Sequence, residues 1–160
     1  MAFILSFGED GPDTDVIATG SRYFIRMSVG FDPDDEISYF ATVSLDFSAS
    51  INGHELSFWL SAEHPYGSED ILWDGKETWF IKRHERGLIR EAILLAIRLL
   101  ARKIGPERVF MLAMRSSLPD RALQKYLEIN RVFGQLGYTV TERDPRYGNK
   151  CWLMERPSVE

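Results

Sequence analysis

The stretch HERGLIREAILLAIRLLARKIG, residues 84–105, decides how this chain is read, because the hydrophobic period changes there from two to 3.6. Leu88, Ile89, Ala92, Ile93, Leu95, Ala96, Leu99, Leu100 and Ile104 fall on one broad arc, the pattern of a helix lying flat on a sheet. Gly105-Pro106 supplies the stop.

Upstream, apolar and polar residues alternate between Gly, Pro, Asn and Asp punctuation, so the first 80 residues read as strands. Residues 21–29 and 36–51 are two of them. Asn52-Gly53 then predicts a two-residue hairpin turn, with the return strand at 54–62. EHPYGSEDI, 63–71, reads as a looser segment, followed by the turn signal Asp74-Gly75 and a strand pattern at 76–82. GEDGPDTD and DPDDE read as surface turns.

Downstream, residues 109–114 form an apolar run of strand length. Ser117, Pro119 and Asp120 have the pattern of a helix start. Leu123, Tyr126, Leu127, Asn130, Phe133 and Leu136 keep helical spacing up to the stop at Gly137. YTVTER and KCWLMER, around the turn-rich DPRYGN, are two final strands. The whole is an α+β fold, a mostly antiparallel sheet with two main helices. No linker, repeat or low-complexity tract divides it, so 1–160 is read as one domain with a strand-rich half at 1–83 and a helix-containing half at 84–160.

Composition excludes several classes. In 160 residues, 44% are hydrophobic and 27% charged, the balance of a globular domain and not of a disordered chain. The single cysteine, Cys151, cannot close an intrachain disulfide, and with Trp152 beside it in an alternating strand it reads as a buried, reduced thiol. The opening MAFILSFGED is a poor signal peptide, and Arg90, Glu91 and Arg98 interrupt the greasiest segment; a cytoplasmic protein with no membrane span is expected. The P-loop, GxGxxG and GxSxG patterns are missing, and His54, His64 and His84 lack the spacing of metal ligands, so no metal is expected. Trp59, Trp73, Trp79 and Trp152 read as core residues.

Charge is unevenly spread. Residues 1–81 carry 3 Lys+Arg against 15 Asp+Glu, while residues 82–156 carry 16 against 8. The basic half either neutralises the acidic one or faces an anionic partner. Lys82, Arg83, Arg86 and Arg90 crowd the N-terminal end of the first helix, where the helix dipole already presents positive charge. Each cation costs roughly 0.3–1 kcal/mol there. Pairing with Glu85, Glu91 or the acidic half would relieve that cost, and so would a phosphate-bearing ligand.

A strand, then RHERGLIREAILLAIRLL, then helix, strand, helix, strand, strand resembles the C-terminal half of the GNAT superfamily of acyl-CoA dependent N-acyltransferases, over about residues 76–156. The family's [Gln or Arg]-x-x-Gly-x-[Gly or Ala] turn aligns with HERGLI. That stretch keeps Gly87 and carries His84 and Ile89 at the outer positions. FGQLGY, 133–138, is similar to the family's Tyr-x-x-x-Gly-Phe, with Phe133 at the tyrosine. The family's first two helices have no counterpart between the strands ending near Val29 and starting near Glu36. The resemblance implies acetyl-CoA or another acyl-CoA as cofactor. Gly87, Leu88 and neighbouring amides with Arg83, Arg86 and Arg90 would hold its phosphates, Tyr126 would donate a proton, and Glu77 or Glu69 would be the general base. The competing expectation is a non-catalytic interaction protein that binds an acidic protein through its basic half. Nucleic acid ranks below that, because no aromatic-interleaved basic stripe is present.

Overall fold

The computed structural model describes residues 2–72, 78–113 and 120–157. In chain order the elements are β1 (Ile4–Leu5), β2 (Val16–Thr19), β3 (Arg22–Asp32), β4 (Ile37–Ser48), β5 (Gly53–Glu63), β6 (Glu69–Leu72), α1 (Arg83–Ile104), β7 (Arg108–Leu112), α2 (Asp120–Gln135), β8 (Thr139–Arg146) and β9 (Asn149–Glu155). The α+β class is as expected: two helices and a mostly antiparallel sheet ordered β1-β3-β4-β5-β7-β9-β8, with β2 on β3 and β6 on β5. The chain divides into two compact units, Met1–Ile17 with Phe24–Val43 and Phe58–Ala96, and Ala18–Tyr23 with Ser44–Ser57 and Ile97–Glu160.

In the first unit the alternation of β3 buries Ile25, Met27 and Val29, and that of β4 buries Tyr39, Ala41 and Val43. Ile89, Ala92 and Ala96 are the buried positions of α1 in this unit. Phe3, Tyr39 and Phe80 form an aromatic cluster with centroids 5.3–6.1 Å apart. Asp32, in the acidic stretch expected to be a solvated turn, is buried. Its Oδ1 accepts the amides of Asp34 and Asp35 at 2.9 and 3.3 Å, which closes the β3–β4 turn.

EHPYGSEDI is more ordered than its composition suggests. His64 N–H donates to the Ser68 carbonyl, Gly67 takes φ +90°, and β6 returns antiparallel along β5 from Glu69 opposite Glu63. Arg26 joins these strands by donating to Glu63 at 2.9 Å and Glu69 at 3.3 Å while lying over the Phe40 ring. The strand pattern expected at 76–82 fails in its described part. Thr78–Phe80 is a turn closed by Ile81 N–H on the Thr78 carbonyl. Trp79 consequently points outward at 68% exposure and is not a core residue. Asp74-Gly75 and Trp73 lie outside the described residues, as do Ser117 and Pro119 of the expected α2 start.

In the second unit, β5 and β7 form a parallel pair over three rungs, His54↔Val109 to Leu56↔Met111, joined through α1 as parallel strands require. β9 lies antiparallel between β7 and β8. The turn before β5 differs from the expected two-residue form. Ala49–Asn52 makes it, only Asn52 has a positive φ (47°), and Gly53 already belongs to β5. Glycine is required at 53 by a close approach, since a Cβ there would stand 2.9 Å from the Arg108 carbonyl oxygen. Both helix stops are observed. Gly105, at φ +60°, donates to Ala101 O. Tyr138 N–H reaches Phe133 O and Gly137 N–H reaches Gly134 O, with the two aromatic rings edge to face at 5.2 Å, a Schellman ending with its apolar contact.

The apolar arcs are narrower than the periodicity implied. Leu88 and Leu95 of α1 and Leu127 of α2 are exposed, while Ile97, Leu100, Ala101, Tyr126, Ile129, Val132 and Phe133 are buried. Trp152 and Cys151 are buried as expected, and the thiol is free.

Candidate functional site

The basic cluster lies at the start of α1, in the first unit. Buried Ile81 and the Phe80 ring anchor the chain just before the helix. Arg86 N–H then donates to Lys82 O at 2.9 Å, which makes Lys82 the N-cap and leaves the amides of residues 82–85 without intrahelical acceptors. Lysine offers no side-chain acceptor to those amides. Glu85, in the first turn, is the acidic group that suits the helix dipole, and its Oε2 is a buried oxygen with no hydrogen-bond partner.

Arg83, Arg86 and Arg90 follow one another at spacings of three and four, so they form a stripe along one flank, and all three are exposed. Among the described residues, Arg83 and Arg86 have no carboxylate partner, so neither makes the expected pairing with Glu85 or Glu91; Asp74 and Glu77 of the acidic half lie outside the described residues. Gly87 and Leu88 sit one turn further in than a phosphate cradle needs. Both lie inside α1, where their amides bond the carbonyls of residues 83 and 84. The donors left for an anion are the first-turn amides and the Arg83 and Arg86 guanidiniums. A Cβ on Gly87 would meet no heavy atom within 4 Å, so no packing contact requires glycine there.

Tyr126 belongs to the second unit and is buried, its ring stacked on Trp152 at 5.3 Å and 15°. The Lys125 ammonium is 5.3 Å from the Tyr126 ring centre, and burial lowers the Lys125 pKa. Glu69 is engaged by Arg26. Glu77 lies outside the described residues.

Sequence reading gave no sign of a cleft of about 250 Å³ in the second unit. Its floor is Phe110, Leu112 and Cys151, and its walls are the turns at Ser48–Ile51 and Arg146–Tyr147, with Glu55 alongside. These segments are distant in sequence, and no local motif brings them together.

Among the described residues, no group of three or more His, Cys, Asp and Glu side chains could hold a metal ion, and no helix is long and apolar enough to cross a membrane. Comparison with protein-family models, curated proteins and solved structures returns no match.

Proposed function

We propose that this chain is a GNAT-like, acyl-CoA dependent domain that binds the CoA diphosphate at the first turn of α1. The observation that carries the reading is the pair Arg83 and Arg86. Two exposed guanidiniums without carboxylate partners among the described residues stand at the helix end whose dipole disfavours them, beside amides that have no intrahelical acceptors. A diphosphate would accept from both groups and remove the mutual repulsion. The order α1, β7, α2, β8, β9 supports the reading too, being the helix, strand, helix, strand, strand order that the resemblance implies, although the strand expected before it at 76–82 is a turn in its described part.

Binding is better supported than catalysis. Acyl transfer to an amine needs a base for the ammonium proton and an acid for the leaving thiolate. Tyr126, packed against Trp152, has the surroundings of a core residue and not of a proton donor in an open cleft. The domain is therefore read as a CoA binder with a weakened or lost transferase step.

The test is thermal unfolding with acetyl-CoA or CoA. A ligand bound at about 100 times its Kd stabilises the folded state by about 2.7 kcal/mol. Arg83→Ala with Arg86→Ala should abolish the rise in Tm while leaving the unliganded protein at least as stable as the parent, because each removed cation is disfavoured at that helix end by roughly 0.3–1 kcal/mol. No rise in the unsubstituted protein at millimolar CoA refutes the proposal.

Exposed Trp79, shortly before these arginines, favours the second reading, an acidic protein partner, because Trp and Arg dominate interface hot spots. An acidic peptide that binds where CoA does not, and that is lost on Trp79→Ala, would select it.

A further inference from the structure

We infer that the cleft in the second unit is a binding site for a small zwitterion with an apolar side chain, of the kind an aromatic or branched α-amino acid presents. The proposal is independent of the CoA reading and uses none of the same residues. Its floor follows from register. Glu55 stands opposite Phe110, and Leu112 opposite Cys151, so the four side chains share one face of the sheet. Phe110, Leu112 and the Cys151 thiol give that face an apolar base.

The rim carries opposite charges that do not meet. Glu55 and Arg146 both line the cleft, yet among the described residues neither forms an ion pair, with the other or with anything else. A carboxylate and a guanidinium that line one cleft with an apolar base, without pairing among the described residues, match a ligand with an ammonium at one end, a carboxylate at the other and a hydrocarbon body between. An anion alone would leave Glu55 repelling it, and a cation alone would meet Arg146. A purely apolar ligand would strip water from both charges without replacing it.

Size narrows the class. An apolar cavity of about 150 Å³ accommodates benzene. A cleft of about 250 Å³ therefore admits a ring or a branched alkyl group and a few further atoms. Tyr147 lines the cleft in a left-handed backbone conformation (φ 51°), is 91% exposed as a residue, and offers an aromatic face to that body.

The experiment is calorimetric titration of the full chain with L-phenylalanine and L-leucine, with phenylacetate, phenethylamine and glycine as partial ligands. Saturable binding of at least one amino acid is expected. Phenylacetate and phenethylamine should each bind about tenfold or more weakly, the loss expected for one charge-assisted hydrogen bond. Glycine should not bind detectably. Glu55→Gln should cost a similar factor and so should Arg146→Gln, and because both side chains are exposed the variants should melt like the parent protein. The inference is overturned by no saturable binding of either amino acid at tens of millimolar, or by binding that survives both substitutions.

Discussion

Replacing Gly87 by alanine should make the unliganded protein more stable. The residue is in the second turn of α1, has no positive φ, and would direct an added Cβ into open space. The substitution therefore adds no clash and no strained backbone, and it removes the excess freedom that glycine has in the unfolded chain. Host–guest scales put glycine about 0.8–1.0 kcal/mol below alanine in a helix interior, and comparable substitutions in proteins return about 0.4–1 kcal/mol. For a chain of this length each kcal/mol moves Tm by about 2–4 °C, so the melting point should rise by about 1–4 °C. Urea unfolding followed by far-ultraviolet circular dichroism is the sharper assay, because a pure stability gain raises the midpoint and leaves the m value unchanged. A Tm that falls, or an m value that changes, would show that the helix start is packed or strained and that the placement of Gly87 is wrong.

Gly53→Ala should act in the opposite sense. Its methyl group would press on the Arg108 carbonyl at 2.9 Å, which is backbone and cannot swing away, so a loss of about 1–3 kcal/mol is expected in the same urea assay, and an unchanged midpoint would count against the close approach. Alkaline stability should report on Tyr138, whose hydroxyl donates to the Pro106 carbonyl and whose pKa burial raises above the ordinary value of 10.0, against the opposing influence of Arg156. Because the folded-state pKa is the higher one, this contribution is complete below about pH 10 and is lost as pH rises through the folded value. Tyr138→Phe should flatten the fall above pH 10, and an equally steep fall in that variant would assign it to other groups.

The sequence showed most where one residue's local preference and its tertiary role coincide. Both helix stops are such cases, since Gly105 and Gly137 are needed for backbone conformation, a purely local requirement. Gly53 is the contrary case. Next to Asn52 it looks like half of a turn, but its need for a missing Cβ comes from a strand 55 positions away. β6 was hidden because its four residues include two exposed carboxylates and depend on the edge of β5 for their order. Alternation around Trp79 suggested a strand, yet a turn brings Phe80 onto Tyr39 and leaves the indole outside. The arginine stripe could be read from spacing, whereas which amides remain available depended on α1 beginning at Arg83. The cleft could not be foreseen, because Glu55, Phe110 and Arg146 come from separate strands.

The three-rung junction of β5 and β7 bears on how the chain finds its fold. The β8–β9 hairpin closes across a turn of two residues, Tyr147 and Gly148, within one short stretch of chain. Joining His54 to Val109 instead closes a loop of more than fifty residues for only three backbone pairs. Closure entropy grows slowly with loop length but must be met before such distant contacts repay it. The parallel seam is therefore expected to form late, and α1, once helical, would shorten the search by turning 22 residues of flexible tether into a rod about 33 Å long.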